Sequence, residues 1–204
     1  MAAFRVTAHL KLDDVSIRKK IDAALASSVV VKRAAYKKAY GMYMTAKRAM
    51  MREFDRHPVT QELEAGPTAV NFSGTLGGYG NLFSFIGFPA GSEPTEALRQ
   101  LLASVEFKQT QFRNRMWYFR VGIPSRADVE HVTPMPWEGG NSWAIGIERG
   151  ISGLSHYMYI KWMGSRSGTG LQLPYENWDD LQFETQPYIT EILRNFRQRI
   201  NKTV

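Results

Sequence analysis

Cysteine is absent from this 204-residue chain, which excludes disulfides, thiolate metal sites and cysteine nucleophiles and leaves stability to packing or to partners. Long apolar runs are missing too. The longest apolar patch, around Leu82 to Phe88, is broken by Ser84 and Gly87, far short of the roughly 20 residues that span a bilayer, so no membrane role is expected. The opening stretch MAAFRVTAHLKLDD has no basic run followed by an apolar segment and reads as no signal peptide. Histidine is scarce and dispersed: His9, His57, His131 and His156 offer no ligand spacing. No Gly-x-Ser-x-Gly elbow occurs. Gly74, Gly77, Gly78 and Gly80 are followed by no Gly-Lys-Ser/Thr and no helical pattern, which argues against a phosphate loop, and the run Gly164 to Gly170 reads as a hairpin tip or interface loop. Neither a cofactor nor a metal is expected.

Acidic residues are short in one region only. Residues 1 to 60 hold 13 Lys and Arg against 5 Asp and Glu, while the remainder holds 13 against 14, so the formal charge of +7 comes from the N-terminal third. A basic end on a near-neutral body suits a chain that docks that end on something acidic, DNA or a protein surface. Hydrophobic content of 44% and charged content of 22% are those of a chain that folds, here as one domain over residues 1–204.

Periodicity predicts an α+β fold. Phe4, Val6, Ala8, Leu10 and Leu12 alternate with polar residues, a half-buried strand over 3–12. Asp13 or Asp14 then caps a helix that runs to His57-Pro58, residues 13–56. At 1.5 Å per residue it would extend roughly 60 Å, so part of it should project or pack on neighbours. Val29 to Val31 and Gly41 are the expected bends, because β-branched runs and glycine are poor helix formers. Residues 66–92 mix glycines with Phe72, Tyr79, Leu82, Phe83, Phe85, Ile86 and Phe88. Such a loop needs a surface to bury against, and these residues, with Trp137, are read as an interface. A short helix from Glu93-Pro94 to Leu102 is expected next, then strands over Val105 to Gln111, Phe112 to Ile123, Trp143 to Arg149 and Tyr157 to Met163, and a helix over Pro187 to Ile200. The expectation for 105–200 is thus an antiparallel β body with a C-terminal helix.

Two constellations invite chemistry. Glu106-Phe107-Lys108, with Glu93 or Glu96 upstream, matches the acid-x-lysine end of a metal-dependent nuclease arrangement, although an alternating strand carries Glu and Lys on its wet face anyway. Lys19, Lys20, Lys32, Arg33, Lys37, Lys38, Lys47, Arg48, Arg52 and Arg56 could form an anion-binding stripe, and Lys37, Lys38, Lys47 and Arg48 are the expected contacts. The alternative is an ordinary solvated helix face. No catalytic residue is assigned.

The plan of N-terminal strand, long basic helix, Ser73-Gly74-Thr75-Leu76 turn, strand body and proline-entered C-terminal helix (Pro187) resembles the tail-completion, minor-tail-protein-Z-like family of tailed bacteriophages. Tyr157 to Gly164 is similar to that family's aromatic strand before the last helix. HPVTQELEAG, SGTLGGYGNLFSFIGF, TPMPWEGGNSW and GIERGISGL are similar to segments of virion proteins of contractile-tailed phages. The resemblance implies a structural, non-enzymatic virion protein made in the host cytoplasm, assembling as a six- or twelve-fold homo-oligomeric ring at the head-tail joint. Its implied neighbours are connector, tail-tube or sheath proteins, with non-specific contact to packaged DNA. The alternative is a nucleic-acid-acting protein, a small Mg²⁺ nuclease or a DNA-binding module.

Overall fold

A computed structural model describes residues 14–78, 80–113, 116–136, 140–149 and 183–201. The class is α+β. By its internal contacts the chain divides into two compact units, Met1–Gly41 with Phe107–Arg120 and Met42–Glu106 with Val121–Val204. The strand expected over 3–12 and that over Tyr157 to Met163 lie outside the described residues.

The basic segment forms two helices, α1 (Asp14–Ser27) and α2 (Val29–Arg56), rather than one. The interruption is Ser28, one residue before the valine run. Backbone bonds still bridge it, Ser28 N–H to Ala24 O and Lys32 N–H to Ser28 O, both at 3.0 Å. Gly41 lies inside α2 and does not interrupt it.

In the first unit, α2 meets a two-stranded sheet of β1 (Phe107–Arg113) and β2 (Met116–Val121) through aromatic rings. Tyr36 and Tyr40, one turn apart, stack at 5.7 Å and each turns an edge to Phe107, at 5.6 and 5.7 Å. Phe107 and Phe119 stack across the strands at 5.2 Å. The period of two in Trp117 and Phe119 places both on one face, with Lys32 over the Trp117 ring at 5.8 Å. No side chain described between Val15 and Gly41 is buried.

The second unit holds the core. Along α2 the buried residues are Tyr43, Ala46, Met50 and Phe54, the spacing of one helical face. Pro58 ends that helix: His57 is extended and caps the next, α3 (Pro58–Glu64), which buries Val59 and Leu63. A single 3₁₀ turn, Gly66–Thr68, leads into a loop and then α4 (Leu82–Ile86). Helix α5 (Glu96–Ala103) buries Leu98 and Leu102, close to the sequence expectation.

Beyond strands β1 and β2, the elements described in the expected β body are helices, with one isolated antiparallel bridge, Pro134 to Ser142. Helix α6 (Arg126–Val132) starts on a Ser125–Asp128 capping box. Trp143–Arg149, expected as a strand, is helix α7, with Trp143, Ala144 and Ile147 buried. The last helix, α8 (Ile189–Asn201), buries Ile189, Ile192 and Phe196 as its periodicity predicts. Glu148 of α7 caps it, accepting the N–H of Thr190 at 2.6 Å, a carboxylate at the positive end of a helix dipole. Among the described residues no helix is long and apolar enough to cross a membrane.

Candidate functional site

The glycine-rich loop is organised around one buried carboxylate. Glu62 is closed off from solvent, yet its Oε1 accepts the N–H of Leu82 at 2.7 Å and Nδ2–H of Asn71 at 2.9 Å, and its Oε2 accepts the N–H of Ser73 at 3.0 Å. Asn71 Oδ1 in turn accepts the N–H groups of Leu76 and Gly78, at 3.0 and 3.2 Å. Gly74, Gly77, Gly78 and Gly80 all sit at positive φ, the conformation that lets the chain wrap so tightly. Their loop does gather backbone donors, as a phosphate loop would, but the anion it holds is the protein's own Glu62.

This wrapping corrects the interface reading. Asn81 caps α4, accepting the N–H of Ser84 at 2.8 Å and donating to Pro67 O at 2.9 Å, and Gly87 closes its other end in the left-handed region. Leu82, Phe83, Phe85 and Ile86 are buried inside the chain itself, and Phe85 stacks on Phe183 at 5.7 Å. They are core residues and cannot offer a surface to a neighbour. Phe88, half-buried, packs on Phe83 at 5.5 Å and on Trp143 at 5.9 Å, so it too is largely committed within the chain. Phe72 alone of the described set is exposed, at 46%. Tyr79 and Trp137 lie outside the described residues.

Of the expected anion contacts, Lys47 is redirected. Its Nζ donates to Ala103 O at 2.5 Å and Val105 O at 3.1 Å, so the ammonium satisfies carbonyls at the C-terminal end of α5. Tyr43 O–H donates to the same Val105 oxygen at 2.5 Å. Lys37, Lys38 and Arg48 are exposed on α2.

No protein-family model, curated protein or solved structure matches the chain.

Around the acid-x-lysine constellation, as elsewhere among the described residues, no three or more His, Asp or Glu are grouped so as to hold an ion. Glu96 accepts from Gln100 at 2.8 Å and lies 3.7 Å from Arg99 Nε. Arg99 also pairs with Asp55 and Glu64 and lies over the Phe54 ring. Burial works against its charge, but those two carboxylates outweigh it and raise the guanidinium pKa.

A feature the sequence did not announce is an open cleft of about 470 Å³ between the end of α2, the start of α3 and α8. His57 forms part of its wall. Its Nδ1 accepts the N–H of Val59 at 3.3 Å while Nε2 lies 3.0 Å from Pro187 O, which fixes the neutral tautomer with its proton on Nε2. Burial pushes the His57 pKa down, against the opposing pull of the Pro187 carbonyl and of Glu191 and Glu148. Behind it Tyr188 is buried, its hydroxyl 2.8 Å from Thr60 Oγ1, and burial raises its pKa. His131, on the last turn of α6, is exposed, and His9 and His156 lie outside the described residues.

Proposed function

We propose that the chain is a structural virion protein of a tailed phage, a ring-forming neck or tail-completion subunit at the head-tail joint. The observation that supports assembly most directly is the apolar surface of α1 and the start of α2. Ile21, Val29, Val30 and Val31 are exposed, Val30 to 78%. Three successive valines are poor helix formers, and a chain gains nothing from placing them in water. Between adjacent subunits they would be buried, and each valine fully covered contributes roughly 1.5 kcal/mol or more. The excess of Lys and Arg in the same third of the chain supports an anionic neighbour beside that contact, and the sequence resemblance supplies the setting.

Mass photometry and negative-stain imaging of the purified protein test the reading. Closed rings of six or twelve copies are expected. A chain that stays monomeric at every concentration and nicks plasmid DNA when Mg²⁺ is added would instead be a nucleic-acid-acting protein.

A further inference from the structure

The cleft beside His57 has an uneven account of charge. Two carboxylates line it, Glu53 and Glu191, and each already has a cation: Arg199 pairs with Glu53, and Arg194 lies 2.9 Å from Glu191. Arg52 and Arg56 line it as well, and among the described residues neither has a carboxylate or a hydrogen-bond acceptor. Asn195, half-buried on the facing helix α8, has a side-chain amide that is likewise unengaged among the described residues. Arg52 and Arg56 are one helical turn apart, a spacing that brings their side chains to about 5–6 Å at Cβ. Two guanidinium forks and an amide on opposite walls suit a planar oxyanion, which accepts bidentate hydrogen bonds from arginine.

We infer that this cleft receives an acidic side chain of a protein partner. A carboxylate seated between Arg52 and Arg56 meets donors, while Ala49 and Pro58 on the same side of the cleft take the apolar side chains beside it. Nucleic acid fits less well. A strand carries a phosphate at every nucleotide, about 3.4 Å along the axis, and would press some of them against Glu53 and Glu191. The inference is independent of the virion reading: a ring-former that ignores acidic peptides would refute only the cleft, and a monomer that binds them would refute only the ring.

The test uses the full chain and a fluorescein-labelled glutamate-rich peptide with leucine flanks, read by anisotropy. Saturable binding is expected, lost when glutamine replaces glutamate in the peptide. Arg52→Gln/Arg56→Gln should weaken it about tenfold or more, the loss of charge-assisted bonds, while Lys37→Gln/Lys38→Gln, with the same change in net charge, leaves it unaltered. Circular dichroism checks the fold. Should the glutamine variant lose helicity, Arg52→Lys/Arg56→Lys takes its place, keeping charge but losing the fork, and should still bind more weakly than the unaltered chain. Absence of peptide binding, equal weakening by both pairs of glutamine substitutions, or a mixed-sequence DNA duplex that depends on Arg52 and Arg56 as strongly as the peptide does would each overturn the inference.

Discussion

A carboxylate closed off from water is costly unless donors replace its hydration, and Glu62 has three of them, two from the backbone of the loop it holds. Glu62→Ala should therefore lose ~3 kcal/mol or more, since it strands those donors in the interior. Glu62→Gln should fall between, because its amide can accept at one oxygen while its NH₂ opposes another donor. Urea unfolding measures both, and a loss below ~1 kcal/mol for Glu62→Ala would mean the loop keeps its shape by other bonds. His57 gives a second handle. Its folded pKa lies below the ordinary 6.5, so the unfolded chain takes up the proton first. Stability should be unaffected by this group above that value and should fall as pH drops from 6.5 towards the depressed native value. His57→Gln should remove that part of the slope, and a slope unchanged in the variant would assign it to other groups.

Elements differ in how far they can be read from residue order. Helix α8 and strand β2 carry enough periodic positions to declare themselves, and α5 follows from Glu93-Pro94. Trp143–Arg149 does not: Trp143, Ile145 and Ile147 alternate as in a strand, while Trp143, Ala144 and Ile147 also share a helical face, and seven residues cannot separate the two periods. What decides is local, Ser142 Oγ accepting the N–H of Ile145 at 3.2 Å at the start of the helix. Ser125-x-x-Asp128, spanning the first turn of α6, was a readable signal of the same kind. The fate of Phe83 and Phe85 was not readable, because it depends on partners distant in sequence: Glu62 holds the N–H of Leu82, Phe183 stacks on Phe85, and Trp143 meets the Phe88 ring that packs on Phe83. The cleft was equally hidden, since its walls come from residues 49–58 and 188–199. The corrected placement reverses the expectation for mutants of α4. Phe83→Ala should cost about 3–5 kcal/mol of stability, as for other core phenylalanines, and should lower the denaturation midpoint before any effect on assembly is seen. A variant as stable as the parent would return this ring to an interface.

At the scale of the whole chain, the core-bearing unit and the exposed apolar helices make separable demands. Val30→Asp changes a side chain that touches water already, so it should leave the unfolding free energy measured in urea within about 0.5 kcal/mol of the parent yet abolish any ring seen by mass photometry. Rings that survive it would move the contact elsewhere. The charge imbalance has its own consequence: binding to DNA, if measured, should be indifferent to sequence and fall steeply with salt. Lys37→Gln/Lys38→Gln should lower the slope of log affinity against log salt by about one to two. A slope that ignores both lysines would place the contact on other residues.

The two carbonyls that grip the Lys47 ammonium also mark out this amine for the chemist. An acylating reagent must first draw it away from Ala103 and Val105, whereas Lys37 and Lys38 stand exposed. Amine-reactive cross-linkers will therefore report neighbours first from the first half of α2, and Lys47, half-buried, will label more slowly, giving a mass-spectrometric reading of how often those two bonds open.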